Sequence, residues 1–169
     1  MPTVVKKIAA EAPKGVQNSQ KVIAESVANE IIFGIVGHVG SGTTTVAETL
    51  KNILESKASG RDKFQVAIIK ARTVIEESMK MLGRPIDAAH DKKLIADVIK
   101  YQDAGDELRK DDLAAVARGA VALIRRERAS LQGGVAEREK PVVPDGKPRA
   151  FVIDSIRHPA EVGLPSYLW

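Results

Sequence analysis

The residues with the most chemical potential are Gly37, His38, Val39, Gly40, Ser41, Gly42, Thr43, Thr44 and Thr45, which read GHVGSGTTT. Their spacing is that of a phosphate-binding P-loop, G-x-x-x-x-G-K-[ST], with Thr43 standing where the lysine belongs. In such a loop the glycines let the backbone curl until several N–H groups converge on one phosphate. The helix that follows adds the partial positive charge of its N-terminus. Neither device needs the lysine. Thr44 falls where a hydroxyl reaches a nucleotide-bound Mg²⁺. The lysine bridges the outer phosphates and offsets charge that develops during transfer, so its replacement leaves recognition in place and predicts slow phosphoryl transfer.

A second signal is Ala150-Phe151-Val152-Ile153-Asp154, an apolar run that ends in a carboxylate. This is the Walker B arrangement, in which Asp154 would hold Mg²⁺ or its water shell. Ser155, Arg157 and His158 follow at once, on the edge where ligands of open α/β sheets lie. Arg157 suits a phosphate, whereas His158, next to Pro159, suits a turn better than a base. A third cluster, Tyr101 to Arg109 (YQDAGDELR), reads as a polar turn around Gly105 with an ion pair inside one helix.

The elements that must position these residues alternate in type. Glu30–Val36 (EIIFGIV) is short, apolar and rich in β-branched residues, as expected of a strand buried on both faces. A helix then places Val46, Leu50, Ile53 and Leu54 inward. Phe64–Ile69 is a second strand. A helix with Val74, Ile75, Met79 and Leu82 inward stops near Gly83 and Pro85. Another helix covers 91–102, with Leu94, Val98 and Ile99 inward. Asp111 or Asp112 caps a long helix that runs to about Leu131 and buries Leu113, Val116, Ala120, Leu123 and Ile124. Gly133 and Gly134 end it, and 133–148 is a loop insertion. Ala150–Ile153 is the third strand. A loose arm with a short helix over 21–29 precedes all this, and an atypical tail over 163–169 follows. Strands that alternate with helices predict an α/β fold with a parallel sheet, in the three-layer P-loop NTPase or kinase-like form.

Composition narrows the chemistry. The chain has 169 residues and no cysteine, which excludes disulfides, thiolate zinc sites, iron–sulfur ligation and a cysteine nucleophile. Its three histidines, His38, His90 and His158, are far apart, so no zinc is expected. Six aromatic residues are too few for a single-strand stacking platform. The net charge of +4 is concentrated in 125–149, which holds seven basic and four acidic residues. Mixed signs of that kind mark a solvated helix end and loop, so nucleic acid is not an expected partner. No stretch approaches 18 uninterrupted apolar residues, and the N-terminus lacks an apolar signal segment, so a cytoplasmic protein without a membrane span is expected.

GHVGSGTTTVAETL, YQDAGDELRK and above all FVIDSIRHPAEV resemble the N-terminal half of the anti-phage deoxycytidylate deaminases, over residues 30–162. Those proteins join a P-loop kinase-like domain to a zinc-dependent deaminase domain that acts on dCTP or dCMP. The resemblance implies that Gly37, Gly40, Gly42, Thr43 and Thr44 form the phosphate loop and that Asp154 is the Walker B acid. A missing lysine is in keeping with that family. The departure is the deaminase centre, which needs His or Cys with Glu and then P-C-x-x-C. With no cysteine, and with His158-Pro159-Ala160-Glu161 at the wrong spacing, this chain carries none.

The expected function is therefore a nucleotide-binding module that holds Mg²⁺ with its nucleotide. A separately encoded deaminase domain or a second copy of the chain is a possible partner. A small kinase or ATPase with another cation in place of the lysine, and a non-catalytic interaction fragment, are the alternatives. Pro165 in GLPSYLW breaks the helix with which the family would continue, so a truncated or split gene product is expected. Three strands, where such sheets usually have about five, predict an incomplete fold with an open edge and marginal stability on its own.

Overall fold

The computed structural model describes residues 29–56, 63–87, 95–137, 140–158 and Glu161. The expected arm and its short helix, Leu94 and the 163–169 tail lie outside the described residues. The architecture is mixed α/β: β1 (Glu30–Val36), α1 (Thr43–Glu55), β2 (Gln65–Lys70), α2 (Ala71–Met81), α3 (Ile95–Asp111), α4 (Ala115–Leu131) and β3 (Arg149–Ile156). The three strands form a small open parallel sheet in the order β1-β3-β2. Among the described residues no helix is long and apolar enough to cross a membrane.

The sheet order corrects one expectation. β3, not β1, is the strand buried on both faces, because it lies between the other two. β1 is an edge strand, and Ile31 and Val36 on it are exposed. Phe151 and Ile153 face one side of the sheet, where they join Ile69 of β2 and the inner residues of α2, α3 and α4 in the main core. Alternation then sends Ala150, Val152 and Asp154 to the other face, covered by α1.

α1 buries a different stripe from the one its large apolar residues suggest. Ala47 is its fully buried residue, with Leu50 and Leu54 half-buried behind it, while Val46 and Ile53 are 54% and 60% exposed. A small residue lets the helix lie close to the sheet, and that sets its rotation. Leu113 is likewise 61% exposed rather than buried, because it lies in the turn before α4. Asp112 starts that helix from two residues upstream of its cap: its carboxylate accepts from the Ala114 N–H at 2.9 Å. Leu82 and Ile99 are also exposed.

α3 runs through Gly105 without a break. A Cβ there would meet Ile75 of α2 at 3.2 Å and the Arg109 guanidinium at 3.1 Å, so the glycine permits close helix packing rather than a turn. The expected ion pair within this helix is present, between Arg109 and Asp106 at 2.9 Å. The inward face of α3 is Asp97, Tyr101, Ala104, Gly105 and Leu108.

In the basic segment 125–149 the charges of Arg126, Glu137, Lys140 and Lys147 are exposed, as expected of a solvated helix end and loop, but two of its arginines are drawn into the structure. Arg128 and the fully buried Arg149 grip Glu30, and Arg149 also pairs with Asp145. Arg126 pairs with Glu77, and Arg125 donates to the carbonyls of Glu137 and Lys140. These bonds tie the 133–148 connection to the N-terminal end of the sheet.

Candidate functional site

The chain leaves β1 into a turn over His38–Ser41, closed by the Ser41 N–H on the His38 carbonyl at 3.1 Å and by the Ser41 hydroxyl on the same oxygen at 2.7 Å. Gly40 and Gly42 take φ of 80° and 82°, a region costly for residues with a Cβ. The loop then folds back over Gly37. A Cβ on Gly37 would stand 2.5 Å from the Ser41 Oγ and 2.6 Å from the Thr43 Cγ2. Thus the glycine spacing read from the sequence corresponds to a real curl.

Gly42 caps α1 without a side-chain hydrogen bond, and the first turn of that helix holds no acidic residue. The N–H groups of an uncapped first turn have no partner within the helix, and they carry its partial positive charge. His38, Val39, Gly40, Ser41, Gly42, Thr44 and Thr45 are exposed.

Thr43, Thr44, Asp154 and Ser155 meet at the start of α1. The Thr44 hydroxyl donates to the Asp154 Oδ2 at 2.9 Å, and the Ser155 hydroxyl donates to the Oδ1 at 2.8 Å. Ser155 also lies 2.9 Å from the Thr43 hydroxyl. A hydroxyl has one proton, and that of Ser155 goes to Asp154, so Thr43 is the donor to Ser155. Both threonine protons are therefore directed at the β3 end. Of the loop's hydroxyls, those of Ser41, Thr43 and Thr44 are thus engaged within the protein, which leaves its backbone N–H groups to face an anion.

Ser155 takes φ 71°, and the β1–β3 register shifts beside it, so that Gly34 pairs with Ile153 but Val36 with Ile156. The extra residue in β3 presents Ser155 to Thr43 while Asp154 reaches Thr44. A non-glycine residue in this backbone region is uncommon, and such strain gathers at ligand sites. The sequence held no sign of it.

Asp154 is only 3% exposed. Its recorded bonds are to hydroxyls, and it makes no ion pair among the described residues. Buried charges are ordinarily paired or bind metal. Other buried carboxylates have a cation beside them: Glu30 has Arg128 and Arg149, Glu161 has Arg109, and Asp97 has Lys100 at 3.7 Å. Thr44 and Asp154 supply hard oxygen atoms, which fit Mg²⁺.

Arg157 stands exposed one residue past β3, on the Asp154 edge, and its N–H lies 3.3 Å from the Glu161 Oε2. His158 is a turn residue as expected: its N–H also donates to Glu161, and its carbonyl accepts from the Glu161 N–H.

Two features were not singled out in the sequence. Arg109 of the third cluster holds Glu161 with Nε at 2.9 Å and Nη2 at 2.7 Å, so α3 anchors the segment after β3. Lys70 ends β2 in register with Asp154. A lysine that closes an apolar strand, FQVAIIK, is the signal that could have found it. A separate, narrow apolar cleft, lined by Ile32, Val116, Ala120, Ile124, Ile153 and others, opens on the α4 face of the sheet, away from Thr44 and Asp154.

Comparison with protein-family models, with curated proteins and with solved structures found no match to this chain.

Proposed function

We propose that the chain is a P-loop module that binds a nucleoside triphosphate together with Mg²⁺, like the N-terminal half of the anti-phage deoxycytidylate deaminases, and that its own turnover is slow. The carrying observation is Asp154, a buried carboxylate whose partners among the described residues are hydroxyls, 2.9 Å from Thr44 at the start of α1, which has no side-chain cap. The curled loop over Gly37 and the adjacency of β1 and β3 support the same reading. In it, Gly37–Thr45 wrap the phosphates with backbone N–H groups, and Thr44 and Asp154 hold the cation. Bound Mg²⁺ would neutralise phosphate charge. Thr43 brings no charge, and its proton is held by Ser155, which favours binding over transfer.

Deaminase chemistry belongs, in this reading, to another chain or domain. A cytoplasmic location goes with it, since the nucleotide pool is there. The test is a thermal-shift panel with ATP, GTP and dCTP, with and without Mg²⁺. At a ligand concentration 100-fold above Kd the folded state gains about 2.7 kcal/mol. A Mg²⁺-dependent rise in Tm with at least one nucleotide is expected. No rise with any would overturn the proposal and leave the interaction-fragment reading.

A further inference from the structure

The glycine-rich loop has no cation of its own, and the proton of Thr43 is directed to Ser155. A polyphosphate with a single divalent cation still carries excess negative charge. Some basic group should face it.

Lys70 is placed to do so. It is the last residue of β2, and its Cα pairs with that of Asp154 in the parallel β2–β3 ladder. Neighbouring strands lie about 4.8 Å apart. The pairs Val66–Ala150, Ile68–Val152 and Lys70–Asp154 alternate regularly with Ala67–Phe151 and Ile69–Ile153. Phe151, Ile153 and Ile69 face the main core. Lys70 therefore projects to the other face, the one that carries Asp154, Thr44 and the start of α1. Lys70 is exposed and makes no ion pair among the described residues. Its flexible four-carbon stem suits a charge that must reach over a neighbouring strand.

We infer that Lys70 is the binding residue that supplies, from the neighbouring strand, the positive charge missing at Thr43, and that it contacts the outer phosphates of the ligand. This inference rests on the P-loop reading. It adds a specificity: the lysine favours a polyphosphate over a monophosphate.

Inorganic tripolyphosphate and orthophosphate test this without a base. Each is titrated with Mg²⁺ into the full chain, into Lys70→Met, Lys70→Arg and the double variant Thr43→Lys/Lys70→Met. The wild type is expected to bind tripolyphosphate more tightly than orthophosphate. Lys70→Met should weaken tripolyphosphate binding about tenfold or more, with little change for orthophosphate and an unchanged Tm. Lys70→Arg should keep most of the affinity, and Thr43→Lys should restore it in the Lys70→Met background. Equal tripolyphosphate affinity in wild type and Lys70→Met would overturn the inference while the P-loop reading stood. So would an equal loss for both anions. Failure of the wild type to bind tripolyphosphate at all would overturn both.

Discussion

At the N-terminal end of the strands, Glu30 and Arg149 are the first residues of β1 and β3, and they are closed in by Arg128 and Asp145. Every carboxylate there meets a guanidinium. At the C-terminal end, Asp154 is as deeply buried but among the described residues it bonds to Thr44 and Ser155 alone, under a helix start with no acidic residue and no side-chain cap. One strand, β3, thus carries a paired charge at one end and an unpaired one at the other. Removing one partner of a buried pair is strongly destabilising, whereas a buried carboxylate held by hydroxyls alone has no such partner to lose, and on the proposed reading its counter-ion is the bound cation.

The comparison breaks most visibly at Arg149. Arg149→Met would leave Glu30 buried with Arg128 alone and Asp145 without its partner. A loss of about 3–5 kcal/mol is expected, read as a lower midpoint in urea unfolding. Arg109→Met should come next, at about 3 kcal/mol, because it strands Glu161, whose other hydrogen-bond donors among the described residues are the backbone N–H groups of Arg157 and His158. The same variant should loosen the segment after β3 and show faster hydrogen exchange there.

Acid sharpens the contrast. The Arg149 guanidinium, hydrogen-bonded to Asp145, holds that carboxyl well below the usual carboxylate range. A depressed folded value means its contribution is fully present above the unfolded Asp value, about 3.9. It is lost as pH falls from there through the folded value. Urea midpoints should therefore decline below about pH 4, and Asp145→Asn should flatten that part of the decline.

The smallest effect on stability, and a large one on binding, belongs to the loop. Gly37→Ala would press a methyl group against Ser41 and Thr43 and push the loop open. The loop is exposed and can give way, so a Tm within a few degrees of wild type is expected. Nucleotide affinity should fall at least tenfold, measured by titration.

The parts of this arrangement that were legible in the sequence are local ones. The glycine spacing at 37–42 and the acid after AFVI need no knowledge of distant residues. The open three-strand sheet was also legible, from the three short apolar runs. What was not legible depended on partners far along the chain. Gly105 reads as a helix breaker until Ile75 is seen packed against it. Arg128 and Arg149 read as surface charge until Glu30, 98 residues before Arg128, is placed between them. In α1 the periodicity was right but the rotation was not, because Ala47 decides how closely the helix approaches β3. Arg109 and Glu161 came from separate clusters, and only the fold shows them as one ion pair.

On the proposed reading, Asp154 is buried for a ligand and not for the fold. The most direct test is to measure urea stability and Mg²⁺-dependent nucleotide binding together, in wild type and Asp154→Asn. Asp154→Asn should be at least as stable as wild type, since the variant removes a buried carboxylate that has no ion pair among the described residues, and should lose Mg²⁺-dependent binding. An Asp154→Asn protein destabilised by several kcal/mol, with nucleotide binding unchanged, would contradict that reading.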